Sequence, residues 1–120
     1  MAVHKPDLIR NLCLCGQTGS GKTTLCERLL YAAGEIGRQG SVEDGNTVSD
    51  FTEEEQHYQH SLAPSVVHFD HEQHRVNVIE TPGMSDFIGH AIACFPAVES
   101  VVVVIDAVKG IESETRRLMR

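Results

Sequence analysis

Eight consecutive residues constrain this chain more than any others: Gly16-Gln17-Thr18-Gly19-Ser20-Gly21-Lys22-Thr23 satisfies the pattern G-x-x-x-x-G-K-[ST]. The run ahead of it, Leu8-Ile9-Arg10-Asn11-Leu12-Cys13-Leu14-Cys15, has the length and composition of a buried strand. Behind it, Leu25, Leu29 and Leu30, followed by Ala32 and Ala33, fall on one face of a helix predicted from Lys22 to Ala33, with Gly34 as its terminator. A glycine-rich turn between strand and helix lets successive backbone N–H groups converge on phosphate oxygens, an approach that side chains would block. A turn that only linked the two elements would not need a Lys-Thr pair at the helix start. Lys22 supplies a point charge to β- and γ-phosphates, and the Thr23 hydroxyl a ligand for Mg2+. Gln17, Thr18, Gly19, Ser20, Gly21, Lys22, Thr23 and Thr24 are the expected nucleotide contacts. The motif alone does not separate a GTPase from an ATPase or a small-molecule kinase.

With 120 residues the chain forms one domain or a piece of one. A net charge of −7 offers no uniformly basic face, so direct nucleic-acid binding is not expected. No run approaches the ~20 apolar residues of a membrane span, and Met1-Ala2-Val3-His4-Lys5-Pro6-Asp7 lacks a signal core, so a cytoplasmic protein without membrane contact is expected. Cys13 and Cys15, two apart in an apolar run, point to the same side of a strand; with Cys26 and Cys94 they read as reduced, mostly buried thiols.

From Gly34 to Ser61 neither period is sustained, which predicts a long mobile loop whose length calls for a functional reason. Between Gly34 and His74 lie nine of the 17 acidic residues, so the acidity is local. Ser65 to Phe69 and Arg75 to Ile79 form a predicted hairpin around the polar Asp70-His71-Glu72-Gln73-His74. Ser85 to Phe95 reads as a helix ended by Pro96, and Ser100 to Ile105 as a fully buried parallel strand. A further helix starts at Glu112. The order β, α, loop, hairpin, α, β, α implies an α/β fold, a mostly parallel sheet with helices on both faces and one antiparallel strand.

At the end of the second hairpin strand stands Glu80-Thr81-Pro82-Gly83, then Met84-Ser85-Asp86-Phe87. This run resembles the D-T-P-G-H-x-D-F element of translational GTPases. Gly40-Ser41-Val42-Glu43-Asp44-Gly45, Asp50-Phe51, Glu53-Glu54-Glu55-Gln56, the His74 to Ile79 strand, and Asp106, Gly110 and Glu112 resemble elongation factor G over nearly the whole chain. The resemblance implies a P-loop NTPase G domain across 1–120, with 34–61 as switch I and 80–95 as switch II. It implies GTP hydrolysis to GDP and phosphate with Mg2+, Gly83 N–H sensing the γ-phosphate, and the ribosome as partner. The family's guanine-reading N-K-x-D element is not in the chain, which ends at Arg120 in mid-helix, so a C-terminally incomplete domain is expected.

Departures from the family pattern are specific. Where it has R-G-I-T, this chain has Gln59-His60-Ser61-Leu62, so Ser61 takes the Mg2+-binding threonine's role. Glu80 replaces an aspartate, moving the carboxylate outward by about one C–C bond. Gly19 replaces another aspartate, and Met84 replaces the histidine that orients the attacking water, offering no N–H donor. With Met84 at the catalytic position, two alternatives stay open: a GTP-dependent binding module with little hydrolysis, and an ATP-using P-loop enzyme.

Seven histidines, notably His57 and His60, and His68, His71 and His74, suggest zinc by spacing, but their place in a turn favours solvated side chains. Glu53-Glu54-Glu55 likewise reads as a solvated surface.

Overall fold

The computed structural model describes residues 4–50, 52–59 and 61–120. Phe51, in the acidic segment matched above, and His60, in the candidate histidine pair, lie outside the described residues. Strand β1 (Ile9–Cys15) is the element on which the others are arranged. It pairs in parallel with β3 (His74–Glu80), Leu12 opposite Val78, and on its other side with β4 (Ser100–Val103), Leu14 opposite Val102. β2 (Ser65–His71) is the antiparallel strand, giving the sheet order β2-β3-β1-β4.

The β2–β3 turn is tighter than the five-residue turn expected. His71 pairs with His74, leaving two residues between them, with Glu72 at φ 55°. The strands gain length from polar residues, since Asp70 and Arg75 face each other across the ladder and form an ion pair at 2.5 Å.

Alternation along β1 divides the core. Leu14 faces α1 (Lys22–Ala32), packing with Cys26, Leu30, Val67, Phe69 and Val78. Cys13 and Cys15 face the opposite layer, with Ala91 of α3 (Ile88–Cys94) and Leu118 of α4 (Ser113–Leu118). Helices therefore cover both faces. All four cysteines are unpaired, and Cys13, Cys15 and Cys26 are buried. Gly34, at φ 80°, ends α1 in a Schellman motif: Glu35 N–H donates to Leu30 O and Gly34 N–H to Tyr31 O.

Four further expectations are corrected. The 34–61 segment carries a helix, α2 (Glu53–Tyr58), started by a capping box in which Thr52 and Glu55 bond reciprocally. Glu55 is consequently buried, not part of a solvated acidic face. The helix expected from Ser85 to Phe95 is split into a 3-10 turn (Ser85–Phe87) and α3, with Phe87 outside helical geometry at φ −107°, ψ 10°. The Val-rich strand is parallel as expected but not fully buried. β4 sits at the sheet edge, and Val101 and Val102 are about 40% exposed. Among the described residues no helix is long and apolar enough to cross a membrane.

Candidate functional site

β1 ends against its neighbours and the glycine loop begins there. Val104 N–H donates to Cys15 O at 2.8 Å, and a Cβ on Gly16 would fall 2.3 Å from Val104 O, so no larger residue fits. Gly21, left-handed at φ 96°, caps α1. The first helical bond runs from Leu25 N–H to Gly21 O, which leaves the N–H groups of Lys22, Thr23 and Thr24 ahead of the helical ladder, at its positive end.

Lys22 is buried and folds its side chain back along the loop, donating from Nζ to Gln17 O at 2.9 Å. Burial pulls its ammonium pKa down, and the Glu80 carboxylate pushes back. The end of β3 closes on this lysine. Thr81 donates both its N–H and its hydroxyl to Leu14 O, and Thr18 N–H donates to Gly83 O, all at 3.0 Å. A Cβ on Gly83 would lie 2.5 Å from Lys22 Nζ and 2.6 Å from Gln17 C and Thr18 N.

Around this junction is a cleft of about 220 Å3, lined by Thr18, Gly19, Gly21, Lys22, Thr23 and Thr24 on one side and by Val42, Gln59, Ser61, Gly83 and Met84 on the other. Two hydroxyls of this lining, Thr23 and Ser61, are each bonded to a buried carboxylate behind it. The Thr23 hydroxyl donates to Glu80 Oε1, and the carboxylate, 1% exposed, also interacts with the buried Ser49 hydroxyl. Burial pushes the Glu80 carboxyl above its usual range, against the lowering effect of the Thr23 hydroxyl. Ser61 Oγ donates to the buried Asp50 at 2.5 Å. Two hydroxyls and two carboxylates are hard donors suited to Mg2+, and a divalent cation would offset the burial of Glu80.

Lys22, Thr23, Glu80, Ser61, Gly83 and Met84, expected from sequence, are thus brought to one place, with Thr18, Gly19, Gly21 and Thr24 along the cleft. Gln17 turns its carbonyl toward Lys22 and buries its side chain, and Ser20 is not in the cleft lining. Val42, Asp50 and Gln59 were expected only as members of matched segments, with no role of their own. Gln59 stands at φ 56° as the C-cap of α2, a left-handed site usually taken by Gly or Asn, with no signal in sequence. Among the described residues no group of three or more His, Cys, Asp or Glu side chains could hold a metal.

A mostly parallel sheet whose central strand feeds a glycine loop and helix, with the neighbouring strand's end closing on the loop lysine, defines a P-loop nucleoside-triphosphate fold. The family model described as the Elongation factor Tu GTP binding domain matches residues 7–120, and the chain belongs to that family of translational GTPase G domains. It is 41% identical over 113 residues to the elongation factor G-like protein of Mycobacterium tuberculosis, covering 94% of this chain and 16% of that protein. It is 37% identical over 112 residues to the mitochondrial ribosome-releasing factor 2 of Bos taurus, 93% of this chain and 14% of that one. A crystal structure of a Thermus thermophilus protein superposes with a TM-score of 0.89 at 36% identity, covering 93% of this chain and 17% of its own. A bacterial selenocysteine-specific elongation factor, EF-Sec, shares the fold with a TM-score of 0.71 at 24% identity, covering 92% and 17%. The chain therefore spans about one sixth of the length of the relatives it matches.

Proposed function

We propose that this chain is the guanine-nucleotide-binding part of an elongation factor G-like GTPase that hydrolyses GTP to GDP and phosphate in connection with the ribosome. The observation that carries this reading is the contact of Gly83 with Lys22 and Thr18, because it puts the end of β3 where a γ-phosphate on Lys22 would be felt. The N–H groups of Lys22 to Thr24 and the Lys22 ammonium bind and orient the phosphates. Thr23, Ser61, Glu80 and Asp50 would hold Mg2+, which when bound neutralises phosphate charge. The 34–61 and 80–95 segments act as switch I and switch II, each reaching the cleft through a few residues: Val42, Gln59 and Ser61, and Gly83 and Met84.

A second reading, a GTP-dependent latch with little turnover, is favoured by one observation. Met84 lines the cleft where a water-orienting group is needed, and its thioether offers no N–H donor. Family membership weighs against the ATP-using alternative.

Calorimetry with GDP and GTP tests the first step. Lys22→Ala should lose about 2–4 kcal/mol of affinity, the range for a desolvated charge-assisted contact. Unchanged affinity would remove the phosphate-loop assignment. Single-turnover hydrolysis with ribosomes then separates turnover from latch.

A further inference from the structure

A side chain outside the phosphate motif ties the 34–61 segment to α1. Glu27 lies four residues after Thr23, hence on the same helix face, and is 1% exposed. Its carboxylate accepts the Gly40 N–H at Oε2 (2.9 Å) and the Val48 N–H at Oε1 (2.5 Å). A buried carboxylate needs such donors to offset lost hydration, and two charge-assisted bonds make a strong clasp.

The clasp closes the nine residues from Gly40 to Val48 into a small folded unit. Asn46 Oδ1 accepts from Ser41 N–H at 2.8 Å, Ser41 Oγ donates to Asp44 at 2.8 Å, and Gly45 N–H donates to Val42 O at 3.2 Å. Its neck admits only glycine, because a Cβ on Gly40 would stand 2.4 Å from Asn46 O. The unit carries Val42 to the wall of the phosphate cleft, and from Val48 the chain passes to Ser49 and the buried Asp50.

We propose that Glu27 is a positioning residue that holds the 40–48 unit as a wall of the nucleotide cleft and thereby sets how fast nucleotide leaves. This rests on the reading of the cleft as a guanine-nucleotide site. In Glu27→Gln the side chain keeps its shape but turns an NH2 toward one of the two backbone donors, so one bond is lost and a donor–donor contact replaces it.

The test is a chase of fluorescently labelled GDP with unlabelled GDP. Glu27→Gln should release on the order of tenfold faster, the equivalent of one charge-assisted hydrogen bond, with the association rate within about twofold of wild type. Gly40→Ala, which opens the same clasp from the other side, should also release faster. The double variant should exceed the faster single variant by less than the product of the two effects. In nucleotide-free protein, Glu27→Gln should lose hydrogen-exchange protection at the Gly40 and Val48 amides while β1 and β3 keep theirs, which separates the clasp from general unfolding. Release at the wild-type rate, or fully multiplicative effects, would overturn the proposal while leaving the nucleotide reading intact. A wild-type protein that does not bind labelled GDP would overturn the nucleotide reading and the proposal with it.

Discussion

Adding one methyl group at Gly83 tests the join between the end of β3 and the phosphate loop. Its backbone is not left-handed, so Gly83→Ala carries no conformational strain and its cost is steric. The new Cβ would stand 2.5 Å from Lys22 Nζ and 2.6 Å from Gln17 C and Thr18 N. The lysine end can swing aside, but the two backbone atoms cannot move without shifting the loop. Overpacking of this kind costs about 1–3 kcal/mol. Displacing Gly83 also weakens the 3.0 Å bond from Thr18 N–H to its carbonyl, a further ~1 kcal/mol. In the free protein, movement of Lys22 relieves part of the strain; with phosphate bound Lys22 is needed in place, so the strain is felt in full. If about 2 kcal/mol falls on binding, affinity drops roughly 30-fold. Calorimetry with GDP and GTP measures the drop, and thermal unfolding reports the remainder. Gly89→Ala is the control, since a Cβ there meets nothing within 4 Å and α3 gains an alanine. Nucleotide affinity in Gly83→Ala within about threefold of wild type, with unchanged Tm, would show that this contact is not where the two segments are coupled.

Met84→His should raise ribosome-stimulated single-turnover hydrolysis by roughly 10- to 1,000-fold, the range for one positioned acid–base or orienting group, and combining it with Glu80→Asp should be non-additive; a wild-type rate equal to that of a histidine-bearing relative would show that another group positions the water. At Glu55, burial alone would raise the carboxyl pKa, but hydrogen bonds from Leu62 N–H and from the Thr52 hydroxyl and N–H bring it below its usual 4.5. A lowered folded-state pKa gives stability that is present above pH 4.5 and lost as pH falls through the folded value, so the protection factor of the Leu62 amide, the ratio of intrinsic to observed exchange at each pH, should fall on acidification and Glu55→Gln should abolish that fall. The same fall in that protection factor in Glu55→Gln as in wild type would place the titrating group elsewhere.

Much of the site was legible because its chemistry is local in sequence. Gly16 to Thr23 need only each other, a strand before and a helix after, and the Glu80 to Met84 run carried its own pattern. Glu27 was not legible, because what marks it is the arrival of two backbone N–H groups 13 and 21 residues away, and backbone donors leave no trace in side-chain composition. Asp50 and Glu55 were hidden among acids that share a composition but not an environment: Glu53 and Glu54 are exposed, while Glu55 turns inward to close its capping box. The Val101 to Ile105 run misled for the opposite reason. Its apolar character reports what such a strand can bury, and at the edge of the four-stranded sheet about 40% of Val101 and Val102 stays exposed.

The bonds that fasten the end of β3 also decide where bending can begin. Thr81 is tied to Leu14 through two donors and Gly83 to Thr18 through one, so the chain as far as Gly83 belongs to the rigid frame of the sheet and loop. The next residue, Met84, is extended at φ −77° and ψ 145° and leads into the short Ser85–Phe87 turn before α3. The pivot for any swing of that turn therefore lies one peptide from the glycine that touches the phosphate-loop lysine. A rotation confined to Met84 would re-aim the Ser85–Phe87 turn while Gly83 stays against the lysine and Ala91 of α3 stays packed on Cys13 and Cys15.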